Sequence, residues 1–318
     1  MTRSTLFVTR QLPTPIMDRI HDRYTLVSEP PDRALTTHEL RQGFGQADAV
    51  ISTLSDRIDA DLLSHATSLK ILANYAVGHN NIDIAAARAR GIIVTNTPDV
   101  LTDATADLTW ALLLAVSRRV IEGDQWIREG TWSGWAPTQL LGSDISGKTL
   151  GIIGMGRIGQ AVARRAQGFR MRVLYAGSRT VPVPAGCEWH RLSFEEVARQ
   201  SDFLSLHVPL TPSTGHLIGT PELSLMKPTA FLINTSRGAV IDESALVSAL
   251  TSGTIAGAGL DVYEQEPAIH AGLAGLHNVV LLPHLGSATL ETRIRMGNIC
   301  LDNIAAVLSG KPALNPVG

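Results

Sequence analysis

Lys148-Thr149-Leu150-Gly151-Ile152-Ile153-Gly154-Met155-Gly156-Arg157-Ile158-Gly159 is the stretch on which the fold turns. An apolar run of strand length leads straight into G-x-G-x-x-G. A helical pattern follows from Ala161 to Phe169, then a second apolar run from Met171 to Tyr175. Strand, glycine turn, helix and strand together form a βαβ unit, the context that gives this motif physical meaning. Gly154 permits the tight turn. Gly156, lacking a Cβ, lets a pyrophosphate approach the backbone, and Gly159 lets the helix pack close to the strand. The helix N-terminus presents unpaired N–H groups and a partial positive charge to the phosphates. An ordinary glycine-rich turn would not need this surrounding unit.

Outward from that unit the pattern repeats. Downstream, apolar runs at Phe203 to His207, Ala230 to Asn234, Gly257 to Leu260 and Val279 to Leu282 are separated mostly by helical segments. That is the signature of a doubly wound parallel sheet. Upstream, Leu6-Phe7-Val8, Ala49 to Ser52, Lys70 to Asn74 and Gly91 to Val94 read as buried parallel strands, with helices at Asp59 to Ala66 and Ile82 to Arg90. The fold class is therefore α/β, with two α/β halves in sequence. A long helix is expected from Thr102 to Val120, capped by Thr102 and Asp103, and a final one from Ala288 to Ser309. Trp126, Trp132 and Trp135 lie close together, either as packing or as a subunit interface or pocket wall.

Bulk properties narrow the function classes. A chain of 318 residues fits about two domains. A formal net charge of −2 argues against a nucleic-acid or anionic-membrane surface. No apolar stretch approaches the roughly 20 residues that span a bilayer, and Met1 to Arg10 does not read as a signal peptide. The two cysteines, Cys187 and Cys300, are far apart, so a reducing cytoplasm is expected. No His, Cys and Asp cluster has zinc spacing, and no metal is expected.

In an open α/β sheet, ligands sit outside the carboxyl ends of the strands. After Asn234 come Thr235, Ser236, Arg237 and Gly238; after Leu260 come Asp261, Glu264 and Glu266; after Leu282 come Pro283, His284, Leu285 and Gly286. One arginine, acidic residues and one histidine thus fall at one sheet edge. Reduction of a 2-oxo acid needs those types. A guanidinium grips the carboxylate and polarises the carbonyl. An imidazole supplies the proton, and a carboxylate orients that ring. After the strand ending at Tyr175 there is no acid to accept a ribose 2′-OH until Glu188. Ser178 and Arg179 stand there instead, which favours NADP(H) over NAD(H), unless Arg179 is only a solvated loop charge.

Over essentially its whole length the chain resembles the D-isomer-specific 2-hydroxyacid dehydrogenase family, in its glyoxylate/hydroxypyruvate reductase branch. The carrying motifs are Asn74-Tyr75-Ala76-Val77-Gly78 with Asn81-Ile82-Asp83, and Asn96-Thr97-Pro98-Asp99-Val100-Leu101-Thr102-Asp103-Ala104-Thr105-Ala106-Asp107. The glycine fingerprint joins them, with Asn234 to Gly238, Asp261 to Pro267 and Pro283 to Thr289.

The resemblance implies two Rossmann-like or flavodoxin-like domains with the active site in the cleft between them. A substrate domain would be 1–98 plus 287–318, and a cofactor domain 99–286. It implies that Arg237 holds the substrate carboxylate, that His284 is the acid/base and that Glu266 is its partner. Backbone N–H groups at Val77 and Gly78 would also bind substrate. Cofactor contacts are expected at Thr102, Gly154, Gly156, Arg157, Ile158, Gly159, Ser178, Arg179, Val208, Pro209, Thr214, Thr235, Arg237, Asp261, His284 and Gly286. Trp135 would line the substrate pocket, from the partner of a homodimer built on residues 102–145. Other reductases of this fold (for 2-ketogluconate, or a phosphite dehydrogenase) and a non-enzymatic NAD(H)-sensing corepressor are the rival readings. Glu264 is expected as a surface acid, and His207 as structural or near the cofactor. His79 is either a substrate contact or a loop histidine. His65, His190, His216, His270 and His277 receive no role.

Overall fold

The computed structural model describes residues 3–318. The chain divides into two compact units, Met1–Leu101 with Ser287–Gly318, and Thr102–Gly286. In the first unit β1 (Thr5–Val8), β2 (Thr25–Leu26), β3 (Ala49–Ser52), β4 (Ile71–Asn74) and β5 (Ile93–Thr95) form a parallel sheet in the order β2-β1-β3-β4-β5. Its helices are α1 (Thr14–Arg23), α2 (Thr37–Gln46), α3 (Ala60–Ser64), α4 (Ile84–Ala89) and the closing helix Leu290–Leu308. Alternate strand residues face opposite layers. Leu6, Ile51, Ile71 and Ala73 pack with Ile16, Ile20, Met296 and Ile304, whereas Phe7, Val50 and Leu72 pack with Phe44, Leu62 and Leu63. Burial on both faces explains why these strands read as unbroken apolar runs. Asp59 and Asp83 cap α3 and α4 by accepting the N–H groups of Leu62 and Ala86.

The second unit contains α5 (Thr102–Ser117), α6 (Val120–Arg128), β6 (Thr149–Ile153), α7 (Arg157–Ala166), β7 (Arg172–Ala176), β8 (Trp189–Arg191), α8 (Phe194–Gln200), β9 (Phe203–Leu206), α9 (Thr220–Leu225), β10 (Phe231–Asn234), α10 (Glu243–Ser252), β11 (Gly257–Leu260) and β12 (Val279–Leu281). Its seven strands are parallel and run β12-β11-β10-β9-β6-β7-β8. The order reverses between β6 and β9, the switch point at which such sheets open a ligand crevice. Trp110 of α5 stacks on Phe169 at 4.7 Å between ring centroids and donates its indole N–H to Val162 O at 3.1 Å, which fastens α5 to α7.

The expected single helix over 102–120 is two helices. Arg119 takes a left-handed conformation (φ +53°) that ends α5 and starts α6 on a new axis. A left-handed residue cannot continue a right-handed ladder. Thr102 and Asp103 lie inside the first turn of α5 rather than before it. No helix among the described residues is long and apolar enough to cross a membrane.

Candidate active site

The glycine turn lies at the carboxyl end of β6, beside the switch point. Gly154 has φ +97°, and a Cβ there would stand 2.6 Å from His207 O and 2.9 Å from Val208 Cγ1. Glycine is thus required both by the backbone angle and by the close approach of the chain leaving β9. A Cβ on Gly159 would stand 2.3 Å from Gly154 O, so this residue sets the distance of α7 from the turn. Gly156 differs: no heavy atom lies within 4 Å of where its Cβ would be. It is the N-cap of α7 and offers no side-chain bond to the first-turn N–H groups. A free face above Gly156 and uncapped helix donors fit a dinucleotide pyrophosphate. Exposed Arg157 and half-buried Ile158 open the helix beside it.

The chain after β7 places Gly177, Ser178, Arg179 and Thr180 in an exposed loop. Arg191, on the short strand β8, donates to Gly177 O at 3.0 Å and to Thr180 Oγ1 at 3.1 Å. Sequence reasoning missed this second arginine at the loop, because a three-residue edge strand has no periodic signal. After β9, Val208 is half-buried and Pro209 exposed; Thr214 folds the loop back by donating to Pro209 O at 2.6 Å. His207 bonds through Nε2 to Ser205 Oγ at 2.9 Å, and desolvation pushes its pKa down to about 3. A neutral, structurally tied ring follows.

Three strand ends carry the titratable groups. Beyond β10, Asn234 is fully buried and closes its loop: Nδ2 donates to Arg237 O at 2.9 Å, and Oδ1 accepts from the Ser236 N–H and hydroxyl at 3.0 and 2.8 Å. Gly238 follows, where a Cβ would overlap the backbone of Tyr263 at 1.8 Å. Only glycine therefore lets the Arg237 loop lie against the chain beyond β11 that carries Glu266. Arg237 is half-buried; burial lowers its pKa and the charge of Glu266 opposes that shift.

Glu266 Oε1 accepts the Tyr263 N–H at 3.1 Å, and Oε2 meets His284 Nδ1 at 2.8 Å. Burial raises the Glu266 pKa. The hydrogen bond and charge of His284, the Tyr263 N–H and the Arg237 charge outweigh it and hold the carboxyl below its ordinary range. An ionised Glu266 can only accept, so Nδ1 of His284 carries the hydrogen and Nε2 is left for other chemistry.

Asp261 is buried, with Oδ1 accepting the Leu285 N–H at 2.6 Å and Oδ2 the Gly286 N–H at 2.8 Å, while its backbone O accepts from His284 N at 2.9 Å. It therefore builds the loop in which His284 adopts φ +57°. Desolvation raises its carboxyl to about 6, against these N–H bonds and the His284 charge. From α5, Thr105 donates to Gly286 O at 2.9 Å, and Thr109 shares a 2.8 Å bond with Thr235. Both threonines escaped the sequence reading. A polar pair one turn apart inside an apolar helix was the available signal.

Glu264 is not the expected surface acid. It is half-buried, accepts the Glu243 N–H at 3.2 Å and pairs with His216 Nε2 at 2.8 Å, so His216 has a partner that its spacing did not reveal. The Trp126, Trp132 and Trp135 side chains, with Ile127 and Leu140, border a hollow of about 320 Å³, and Trp135 is 82% exposed. Val77 and Gly78 belong to the other unit, in the half-buried loop after β4.

A glycine cradle at a Rossmann switch point, with guanidinium, imidazole and carboxylate at the same sheet edge, defines a nicotinamide-dependent oxidoreductase. Comparison with known proteins narrows the class. Residues 110–286 match the NAD binding domain of the D-isomer specific 2-hydroxyacid dehydrogenases. The glyoxylate reductase of Thermococcus litoralis is 49% identical over 313 residues, spanning 96% of this chain and 94% of that protein. A protein from Thermus thermophilus has a crystal structure that superposes with a TM-score of 0.93 at 47% identity, covering 99% of this chain and 100% of that one. The NADPH-dependent glyoxylate/hydroxypyruvate reductase from Sinorhizobium meliloti, solved with NADP and malonate, gives a TM-score of 0.86 at 37% identity, over 100% and 97% of the two chains. The chain belongs to the D-isomer specific 2-hydroxyacid dehydrogenase family.

Proposed function

We propose that this protein reduces glyoxylate and hydroxypyruvate to the corresponding 2-hydroxy acids, the D acid in the second case, with NADPH preferred to NADH. The observation that carries the reading is the 2.8 Å bond between His284 Nδ1 and Glu266 Oε2, with Arg237 on the neighbouring loop. The reduced nicotinamide, when bound, supplies the hydride. Arg237 binds the anionic substrate and polarises its carbonyl. His284 gives its proton from Nε2 to the oxygen that gains charge, and ionised Glu266 stabilises the imidazolium before transfer. Thr102–Gly286 is taken as the cofactor domain and the other unit as the substrate domain, where the Val77 and Gly78 N–H groups hold the substrate carboxylate. Gly154, Gly156, Arg157, Ile158 and Gly159 would cradle the pyrophosphate; Val208, Pro209 and Thr214 would lie along the adenosine. Thr102, Thr235, Asp261 and Gly286 would form the nicotinamide end.

The NADP preference rests on Ser178 and Arg179, braced by Arg191, and is supported by the NADPH dependence of the Sinorhizobium meliloti relative. A homodimer is supported by the exposed Val120, Ile121, Ile127 and Trp135 side chains, which a lone chain would leave in water. The cytoplasm is the proposed setting, in keeping with two free cysteines.

The test is oxidation of NADPH and NADH by the purified protein with glyoxylate and with hydroxypyruvate. Turnover that is faster with NADPH supports both parts. Turnover with NADH alone discards the 2′-phosphate reading, and no turnover with either moves the protein to another acid or to the sensing role.

A further inference from the structure

The loop after β4 is held in an unusual way. Three consecutive carbonyls are each bound from one side: Ala76 O by the Thr97 N–H at 3.0 Å, Val77 O by Asn96 Nδ2 at 2.8 Å, and Gly78 O by Asn74 Nδ2 at 2.8 Å. In a planar trans peptide the N–H points opposite to the C=O of the same unit. Fixing Ala76 O therefore aims the Val77 N–H, and fixing Val77 O aims the Gly78 N–H. Among the described residues neither N–H has a protein partner. Each accepted bond also polarises its peptide, which makes the N–H on the far side a stronger donor.

Asn96 is itself anchored. Its N–H donates to Asn315 O at 3.3 Å, the two residues before it pair as Thr95 with Pro316 and Val94 with Val317, and Asn303 grips Asn315 through two bonds, of 2.9 and 3.0 Å. Asn74 and Thr97 are fully buried, and Asn74 Oδ1 and Thr97 Oγ1 lack partners among the described residues. Apolar residues would cost less at such positions if only packing were at stake.

We infer that Asn96 and Thr97 are positioning residues that pre-aim the Val77 and Gly78 N–H groups as a carboxylate cradle, while Asn74 holds the next peptide of the loop through Gly78 O. The inference rests on the proposed reading of this loop as the substrate-carboxylate site and extends it to the residues behind the loop. It places the cost of orienting the two donors in folding rather than in binding.

The experiment uses the full chain with NADPH, glyoxylate as substrate and oxalate as a non-reducible carboxylate probe. Asn96→Asp replaces the donor at Val77 O with a second acceptor, and Asn96→Ala simply deletes it. Each is expected to raise the glyoxylate KM and the oxalate inhibition constant, about tenfold or more for Asp, less for Ala. The NADPH dissociation constant should stay within twofold. Unchanged oxalate inhibition in both variants overturns the inference while leaving the substrate reading intact. Equal losses for oxalate and NADPH also overturn it, since they denote general damage. If the unmodified protein neither reduces glyoxylate nor binds oxalate, the substrate reading falls first and the inference with it.

Discussion

Alanine at Gly156 and alanine at Gly159 should have opposite consequences. The backbone at Gly156 (φ −76°, ψ −164°) is open to any residue, and an added Cβ meets no heavy atom within 4 Å. The free protein should lose no more than about 1 kcal/mol, the difference between glycine and alanine at an N-cap. At Gly159 the added Cβ sits 2.3 Å from the Gly154 carbonyl oxygen, a backbone atom that no side-chain rotation relieves. Overpacking costs about 1–3 kcal/mol, and the hard backbone contact argues for the upper end. Helix propensity returns about 1 kcal/mol, leaving about 2 kcal/mol, or a Tm lower by about 4–8 °C.

Cofactor binding should reverse the ranking. The Gly156 methyl group would occupy the face offered to the pyrophosphate and weaken NADPH at least tenfold. Thermal shift reads both effects. At 100 times the unmodified Kd, NADPH stabilises by about 2.7 kcal/mol, and a tenfold weaker variant gains only about half of that. A Gly156→Ala protein that gains the full NADPH shift would refute the placement of the pyrophosphate on this turn.

His284→Ala should lower kcat by about 10²–10⁴-fold with NADPH affinity little changed; near-normal turnover would remove His284 from proton transfer. Arg179→Ala should weaken NADPH and spare NADH, and Arg191→Ala should do the same more mildly, since it braces the loop through Gly177 O; equal loss of both cofactors would make the loop a structural element only. Asp261 titrates near 6 in the folded chain against an ordinary 3.8, so the folded state holds this proton more tightly. Its stabilising contribution is full below 3.8 and is lost as pH rises through about 6. The stability difference between the unmodified protein and Asp261→Asn should therefore shift toward the unmodified protein as pH falls from neutrality to 5; a constant difference would contradict the buried-carboxylate account.

The positions of the proposed reacting groups were legible because chemistry in an open sheet collects at strand ends. Arg237, Glu266 and His284 each follow an apolar run by a few residues, and the glycine turn sits between two strands. What escaped was held by tertiary contacts with no local pattern. Thr105 and Thr109 hide in an apolar helix, and Arg191 sits on an edge strand too short to alternate. The left-handed break at Arg119 depends on no glycine or proline that would announce it. The loop-building bonds of Asp261 were equally hidden, since its oxygens accept N–H groups from residues 24 and 25 positions further along the chain. The bonds from Asn96 to Val77 O and from Thr97 to Ala76 O likewise join residues some 20 positions apart, so no motif displays them.

The central claim is that these residues direct a hydride onto the second carbon of a 2-oxo acid from one face. NADPH carrying deuterium at its transferable position, incubated with the protein and hydroxypyruvate, tests it most directly. The account predicts D-glycerate with one deuterium at that carbon. Unlabelled glycerate, or the L isomer, would contradict it.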